Sequence, residues 1–275
     1  MMRFSFFLTA LILITIPYLR AQESIPAYRD PGLSFEERAI DLASRLTLEE
    51  KVGQLSNQAP AIKRLGIPAF NYQGEALHGI AEAHGGKLMQ ATSFPQSINM
   101  GSTWNPELMK EVATAISDEA VAFHKKGEID LSFWSPNINM LRDPRWGRNE
   151  EAYSEDPYLM SQIAVSFVKG LQGEHSKYLK TIATPKHFVA NNSEFNRHDG
   201  NSQVEERWLR EYYFPAYKAC FHQGGAFSTM CAYNRVNGVP ACGNEWLLTT
   251  ILRDEWGFEG YVVSDCGAIF DIYEN

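Results

Sequence analysis

The chain has 275 residues, of which 44% are hydrophobic and 21% are charged, and its formal net charge is −8. This composition provides enough apolar side chains for a globular core and excludes a largely disordered chain. The negative charge and the lack of a basic tract argue against a nucleic-acid partner.

The first 21 residues have the pattern of a secretory signal peptide. Arg3 gives a positive start, residues 4–17 are almost wholly apolar, and Ala21 precedes a polar stretch. The apolar run is too short for a comfortable transmembrane span. The sequence therefore predicts cleavage after Ala21, a mature domain over residues 22–275 with no membrane association, and a secreted or periplasmic location. An uncleaved N-terminal anchor is the alternative.

Capping signals predict where the helices begin. Ser34 and the capping box that starts at Thr47 each predict the start of a short helix. Asn105 and Asp156 are each followed by proline at the first helical position, which predicts longer helices to about residues 124 and 171. Further helices are predicted over residues 204–220 and 244–252.

Short apolar runs between these helices predict buried strands. The predicted strands are residues 69–72, 129–134, 179–184, 226–231 and 260–264, with a strand or loop at 94–100 and a strand end turning into a helix at 74–79. Alternating strands and helices are typical of βαβ units and a parallel sheet. The predicted fold class is therefore α/β, specifically a (β/α)8 TIM-type barrel. Because only six or seven strands are found, the barrel is expected to be incomplete at its C-terminal end.

The last predicted strand, residues 260–264, is followed directly by Asp265. In parallel α/β folds, ligands bind at the carboxyl ends of the strands. Asp265 is therefore a candidate catalytic carboxylate. Capping of the helical turn that begins near Gly267 is its alternative role.

The four cysteines, Cys220, Cys231, Cys242 and Cys266, contain no C-x-x-C pair. Neither a zinc site nor a dithiol redox centre is therefore predicted, and no metal or cofactor is expected. In an exported protein, Cys231 and Cys242 could form a disulfide that closes the loop between them. Buried free thiols are an equal alternative, because cysteine packs as a small hydrophobic residue.

Six short segments follow predicted strands or flank predicted helices. They are GEALHG (74–79), SPNINMLRDPRWGRNEEAYSEDP (135–157), KHFVANNSEFNR (186–197), ERWLREYYFPAY (206–217), MCAYNRVNGVPAC (230–242) and GYVVSDCGAI (260–269). In this order they resemble glycoside hydrolase family 3, and the resemblance covers nearly all of residues 34–275. It implies that residues 22–275 are the N-terminal barrel domain and that the second, α/β-sandwich domain of the family is absent from this sequence.

The resemblance implies a retaining mechanism in which Asp265 is the nucleophile and forms a covalent glycosyl-enzyme. It also implies that Tyr233 orients this nucleophile. The residues implied to bind sugar hydroxyls are Arg148, Lys186, His187 and Arg197, whose charges and donor groups suit vicinal oxygens. For the two arginines, an ion pair with Glu150, Glu151 or Asp199 is the alternative role.

Three features of the resemblance favour a xylosidase. Glu75 stands where many family members have aspartate, and its longer side chain suits a pentose, which lacks the hydroxymethyl group. Trp134 is expected to wall the same corner with an aromatic face, and the SDCGA segment also resembles xylosidase-type members. We therefore expect an exo-acting β-xylosidase that acts on oligosaccharides from plant polysaccharides. A β-glucosidase and a non-catalytic sugar-binding module are the alternatives.

Two departures from the family pattern concern the general acid/base. The loop after Phe188 lacks the Asp-Ser-His triplet of the N-acetylglucosaminidase branch, so that branch is not expected. In the other branches a glutamate of the second domain serves as acid/base, and retention needs this carboxyl at about 5 Å from the nucleophile. Glu194, Glu205 and Glu206 are candidates by composition only, and none is assigned. Little or no turnover is expected from these 275 residues alone, and the oligomeric state is not predicted.

Overall fold

The computed structural model describes residues 25–83 and 87–273. The predicted signal peptide lies outside the described residues. The described residues divide into two compact units on either side of the boundary between Val52 and Gly53. Within the part of the chain that is described, no helix is both long enough and apolar enough to cross a membrane.

The helices and strands have the following bounds. The α-helices are α1 (Phe35–Arg45), α2 (Leu48–Gln54), α3 (Ser97–Gly101), α4 (Pro106–Lys125), α5 (Pro157–Gln172), α6 (Glu206–Trp208) and α7 (Pro215–His222), and two π-helical segments span Leu209–Tyr213 and Trp246–Glu255. The strands are β1 (Gln58–Ala59), β2 (Phe70–Asn71), β3 (Glu82–Ala83), β4 (Lys87–Leu88), β5 (Ser132–Phe133), β6 (Ile182–Ala183), β7 (Asn201–Ser202), β8 (Ser228–Cys231), β9 (Arg235–Val236), β10 (Val239–Pro240) and β11 (Tyr261–Ser264).

The four predicted helix starts are confirmed. Ser34 and Thr47 each accept a hydrogen bond from a glutamate backbone N–H, and the glutamate carboxylate in turn accepts one from their own backbone N–H. Asn105 and Asp156 accept hydrogen bonds from Leu108 N and Leu159 N at 3.0 and 2.7 Å. Because the first N–H groups of a helix have no intrahelical partner, these side chains determine where each helix begins.

Four strands of the second unit run parallel in the order β5, β6, β8 and β11. The β5–β6 and β8–β11 pairs are regular parallel ladders. Between them, Phe188 forms a parallel bridge with Cys231, and Met230 N donates to Pro185 O at 3.1 Å. At least one helix lies between each neighbouring pair along the chain. This arrangement confirms the predicted α/β class, and it brings the carboxyl ends of the four strands to one edge.

Helices α4, α5 and α7 pack side by side, and α5 contacts both of the others. Helices α4 and α5 approach each other closely at Gly170. A Cβ atom at this position would lie 2.5 Å from Lys110 O, which is too close for any side chain. Phe167 of α5 and Tyr217 of α7 are among the largest fully buried side chains. Each such apolar side chain stabilises the fold by roughly 1.5–3 kcal/mol, so this helical layer holds the strand ends in place.

Two predictions for residues 74–100 are wrong. Residues 74–79 do not lead into a helix, because the chain folds back on itself: Phe94 N donates to His78 O at 2.8 Å, and Gly79 has a φ of +140°. Residues 94–100 do not form a strand. Ser97–Gly101 is helix α3 instead, and Met100 N donates to Gln96 O at 3.1 Å.

The predicted helix over residues 204–220 is interrupted. It consists of α6, the π-helical segment Leu209–Tyr213, and α7. Pro215 has no backbone N–H to continue the ladder, and its ring would clash with the preceding turn of a regular helix. The next predicted helix is confirmed at its start, where Leu247 N donates to Asn244 Oδ1 at 3.1 Å, and it extends to Glu255.

Candidate active site

Asp265 follows β11 directly and lies at the carboxyl edge of the parallel strands. Its backbone N–H donates to Cys231 O at 3.3 Å, and the residue is only 7% exposed. Oδ1 accepts a hydrogen bond from Cys266 N at 2.7 Å. Oδ2 is buried and accepts no well-oriented hydrogen bond from the described residues. One carboxylate oxygen is therefore held by the backbone, and the other is not held by a hydrogen bond from the described residues.

His187 lies against this available oxygen, with Nε2 at 3.4 Å from Asp265 Oδ2. Its Nδ1 is 2.8 Å from Asn139 Oδ1, while Asn139 Nδ2 donates to His187 O at 3.1 Å. This second contact orients the amide, so Nδ1 carries the imidazole proton and Nε2 is an acceptor. Burial lowers the pKa of His187 well below its usual value, and Arg148, Lys186 and Arg197 lower it further. His187 is therefore neutral at pH 7.

The Tyr233 hydroxyl group lies close enough to the Asp265 carboxylate for the two to interact electrostatically. Burial raises the pKa of Tyr233, and the negative charge of Asp265 raises it further, so the phenol keeps its proton and can donate it in a hydrogen bond. The Arg197 guanidinium carbon lies 4.7 Å from the Tyr233 ring centroid, and the His198 ring lies 4.4 Å from it. Tyr233 thus stands between Asp265 and the loop that carries Arg197.

Glu75 and Lys186 form an ion pair beside this group. Lys186 Nζ lies 2.6 Å from Glu75 Oε2, and the Lys186 side chain is only 5% exposed. Glu75 Oε1 accepts hydrogen bonds from the Ser135 hydroxyl and from Ala76 N. About a third of the Glu75 side chain faces solvent. The pair therefore places a buried ammonium group beside a carboxylate that is partly open to solvent.

Both predicted arginines form ion pairs, Arg148 with one of the partners named as its alternative and Arg197 with Glu194, which was not among them. Arg148 makes a bidentate contact with Glu151, with distances of 2.9 and 2.7 Å. Burial raises the pKa of Glu151, but Arg148 more than offsets this, so the net pKa is below its usual value. Arg197 Nη1 lies 3.3 Å from Glu194 Oε2. Arg148 also interacts electrostatically with Asp265, so the ion pair leaves it within reach of the same site.

Trp134 lies in the chain directly before Ser135. Its backbone N–H donates to Gly74 O at 2.7 Å, and the residue is 6% exposed. The indole N–H has no hydrogen-bond partner among the described residues. Trp134 is thus anchored next to the strand end that carries Glu75, and its role as an aromatic wall stays a prediction.

The contacts join seven of the eight predicted site residues into one cluster, and Trp134 adjoins it through the backbone. Sequence reasoning missed two supporting residues, Asn139, which orients His187, and Ser135, which binds Glu75. Asn139 and Ser135 belong to the SPNIN segment, whose polar residues just after a strand were the available signal. The catalytic and binding roles of the cluster stay predictions.

Cys231 and Cys242 form a disulfide. Of the two alternatives for this pair, the structure therefore contains the crosslink, whereas Cys220 and Cys266 are free thiols. The crosslink closes the loop that carries Tyr233. Among the described residues, no group of three or more His, Cys, Asp or Glu side chains is arranged to hold a metal ion.

The three candidate acid/base glutamates differ in their surroundings. Glu194 accepts a hydrogen bond from Trp146 Nε1 at 3.0 Å and pairs with Arg197, so each of its oxygens is engaged. Glu205 is exposed just before α6, and the exposed Glu206 pairs with Arg210 at 2.7 Å. None of these contacts involves Asp265.

A family model described as the glycosyl hydrolase family 3 N terminal domain matches residues 38–275. The chain belongs to this family. A family 3 exo-β-xylosidase solved with a xylobiose aziridine probe is 38% identical and has a TM-score of 0.85, covering 90% of this chain and 33% of that one. A family 3 β-glucosidase from Bifidobacterium adolescentis is 37% identical and has a TM-score of 0.73, covering 82% of this chain and 32% of that one.

Curated family 3 relatives include xylosidases. The xylan 1,4-β-xylosidase of Xylanibacter ruminicola is 45% identical over 261 residues, covering 90% of this chain and 30% of the relative. An exo-1,4-β-xylosidase of Emericella nidulans is 43% identical over 253 residues, covering 87% of this chain and 33% of the relative. The chain thus spans about a third of the length of these family 3 proteins.

Proposed function

We propose that the chain is the nucleophile-bearing part of an exo-acting, retaining β-xylosidase that removes terminal non-reducing β-D-xylose from plant-polysaccharide oligosaccharides. The observation that carries this proposal is the environment of Asp265 Oδ2, a buried carboxylate oxygen that lies 3.4 Å from His187 Nε2 and accepts no hydrogen bond from the described residues. Lys186, Arg148 and Arg197 lie around the same site. Such cations and donors suit the hydroxyl groups of a single bound sugar unit.

In the first step, Asp265 Oδ2 attacks the anomeric carbon and forms a glycosyl ester while the glycosidic C–O bond breaks. The leaving oxygen takes a proton from a carboxylic acid supplied outside this cluster. In the second step, water attacks the same carbon, its proton returns to that carboxylate, and Asp265 is released. Two displacements at one carbon retain the β configuration. Tyr233 assists by donating a hydrogen bond to Asp265.

The choice of xylose over glucose rests on Glu75 and on the comparisons. Glu75 has a longer side chain than the aspartate of many family members, and its pairing with Lys186 keeps this side chain within the cluster, which supports a pentose over a hexose. The xylosidase structure covers more of the chain and has the higher TM-score, 0.85 against 0.73 for the β-glucosidase. A β-glucosidase is the second candidate, because β-glucosidases of similar identity are also structural neighbours.

The proposed architecture is a TIM-type barrel, incomplete in this chain, from a longer two-domain protein. The ring of Tyr261 on β11 lies 5.6 Å from that of Tyr72, and its hydroxyl lies 3.3 Å from Ser132 Oγ on β5. Contacts between the first and last parallel strands support a sheet that curves toward closure. Relatives about three times as long support a second domain that supplies the acid/base. The disulfide supports export to an oxidising compartment.

An activated 2-fluoro-xyloside tests the nucleophile. We expect the peptide that contains Asp265 to gain the mass of one fluoro-xylosyl group, and an Asp265→Asn variant to stay unlabelled. Labelling at another carboxylate would overturn the assignment. On the intact protein, nitrophenyl β-xyloside should be hydrolysed with a higher kcat/KM than the glucoside, whereas the reverse order would favour the β-glucosidase.

A further inference from the structure

His198, in the loop after Phe188, joins three segments of the chain. Its ring lies 4.4 Å from the Tyr233 ring, and its Nδ1 lies 3.1 Å from Asp271 Oδ2. Tyr233 belongs to the loop that the disulfide closes, and Asp271 belongs to the helical turn Phe270–Ile272, just after the proposed nucleophile. One histidine thus links the loops that follow β6, β8 and β11.

The contact with Asp271 holds the imidazole ring in place. The Asp271 side chain is 9% exposed and that of His198 is 51% exposed, so the histidine covers a nearly buried carboxylate. An ionised carboxylate only accepts hydrogen bonds, so Nδ1 carries a proton and donates it to Asp271 whether the ring is neutral or charged. The contact therefore does not depend on the protonation state of His198.

The segments on both sides of the histidine are fixed by contacts of their own. Arg235 N donates to Gly200 O at 2.8 Å, which ties the histidine's loop to the loop that carries Tyr233. A Cβ atom at Gly243 would lie 3.3 Å from Ile272 Cγ2, so the turn after the nucleophile packs on the end of this same loop. The imidazole ring therefore lies between partners that are themselves held in place.

Tyr233 is the residue through which this linkage reaches the proposed nucleophile. It is 4% exposed, and its hydroxyl group interacts electrostatically with Asp265. The Arg197 guanidinium carbon and the His198 ring both lie within 5 Å of its ring centroid, at 4.7 and 4.4 Å. Without the imidazole, space would open beside the Tyr233 ring, and the phenol could turn away from Asp265. A misplacement of about 1 Å near the reacting groups can cost about 10²-fold in rate.

We propose that His198 is a positioning residue that holds the Tyr233 phenol toward Asp265, and that Asp271 keeps His198 in place. This inference rests on the proposed function, because His198 acts through the hydrogen bond that Tyr233 donates to the nucleophile. It does not depend on whether the sugar is xylose or glucose. The loop after Phe188 then has two roles, since Arg197 serves the sugar and His198 serves the nucleophile.

Steady-state kinetics of the intact protein with aryl β-xylosides test this proposal. His198→Ala should lower kcat about 10-fold and leave KM nearly unchanged, because the substrate-binding groups remain. Asp271→Asn keeps an acceptor oxygen for Nδ1 and should retain most of the rate. His175→Ala is the matched control and should behave as wild type. The His175 ring also lies on a tyrosine, Tyr178, at 5.3 Å, but it precedes β6 and so lies at the amino end of that strand.

A double-mutant cycle with Tyr233→Phe separates positioning from other roles. In the Tyr233→Phe background, His198→Ala should have little further effect on kcat, because the hydroxyl group through which His198 acts is absent. Additive effects of the two substitutions, a loss confined to KM, or an equal loss in His175→Ala would overturn the proposal. A loss that increases with the pKa of the aryl leaving group would also overturn it, since it would identify His198 as the proton donor.

The Tm of the variants and the labelling of Asp265 complete the test. Because His198 is half exposed, His198→Ala should melt close to wild type. If it unfolds below the assay temperature, His198→Phe replaces it in the cycle, since it fills similar space without the bond to Asp271, and the same lack of additivity is expected. Labelling of Asp265 by the fluoro-xyloside together with an additive cycle would overturn this inference alone. Labelling of another carboxylate would overturn the proposed function itself.

Discussion

His187 and Asp265 face each other with two acceptor atoms, Nε2 and Oδ2, at 3.4 Å. The proton of the neutral imidazole is on Nδ1, where Asn139 Oδ1 holds it. Two facing acceptors are stabilised when a hydroxyl or a water molecule donates between them. The two acceptors therefore define a position for a hydrogen-bond donor immediately beside the proposed nucleophile.

The low pKa of His187 makes stability depend on pH. Below about pH 6.5 the unfolded chain binds a proton on this histidine and the folded chain does not, so the unfolding free energy falls as the pH decreases. The fall is at most about 1.4 kcal/mol per pH unit, from about pH 6.5 down to the folded pKa. Denaturant titrations between pH 5 and 7 should show less pH dependence in a His187→Asn variant. An identical slope in both proteins would contradict this.

Asp265→Ala should lower the turnover of xylosides by the intact protein by about 10⁴-fold or more, because no covalent intermediate can form. Added azide can enter the vacated space and attack the anomeric carbon directly. The expected product is α-xylosyl azide, identified by NMR, and its formation should restore part of the rate. Asp254→Ala, an exposed aspartate, is the control and should behave as wild type. A β-azide product would mean that Asp265 is not the nucleophile.

Tyr233→Phe should reduce kcat about 10²-fold by removing one hydrogen-bond donor from Asp265. KM should change less, because the ring and its contact with Arg197 remain. Rapid-quench measurement of the first turnover isolates the rate of glycosyl-enzyme formation, which is the step that this hydrogen bond should affect. An unchanged rate of glycosyl-enzyme formation would assign Tyr233 a packing role only.

Glu75→Asp should raise the ratio of glucoside to xyloside kcat/KM by about 10-fold, since it removes one methylene from the corner next to Lys186. Glu75→Gln serves as the comparison, because it keeps the length and loses the charge. It should reduce hydrolysis of both substrates without changing their ratio. If Glu75→Asp leaves this ratio unchanged, Glu75 does not determine the preference for xylose over glucose.

Removal of the Cys231–Cys242 disulfide should lower the unfolding free energy by about 3 kcal/mol, as expected for a crosslink across a short loop. Cys242→Ser and dithiothreitol-treated wild type should agree in denaturant titrations. Cys266→Ser is the control, since Cys266 is a free and exposed thiol. If Cys242→Ser unfolds at the wild-type midpoint, the crosslink contributes nothing to stability.

Much of the fold could be predicted because its signals are local. Ser34, Thr47, Asn105 and Asp156 cap helices through contacts within three or four residues, and the sequence contains both partners. The failures involve distant partners. Residues 74–79 fold back because His78 O accepts a hydrogen bond from Phe94 N, which no short-range pattern indicates.

The same distinction applies to the candidate site. The strand-end position of Asp265 follows from the apolar run before it. The order of the six segments that resemble family 3 indicated the other candidate site residues. The tautomer of His187 depends on Asn139, which is 48 residues away in the chain.

Cys231 takes part in three connections at once: its strand pairs with β11, its carbonyl accepts from Asp265 N, and its sulfur is bonded to Cys242. The loop that carries Tyr233 is therefore covalently closed onto the strand beside Asp265. In native-state hydrogen exchange, the amides of this loop should open together with β8 and β11 as one cooperative unit. Reduction should separate them, so that the loop amides exchange faster while the strand amides remain protected.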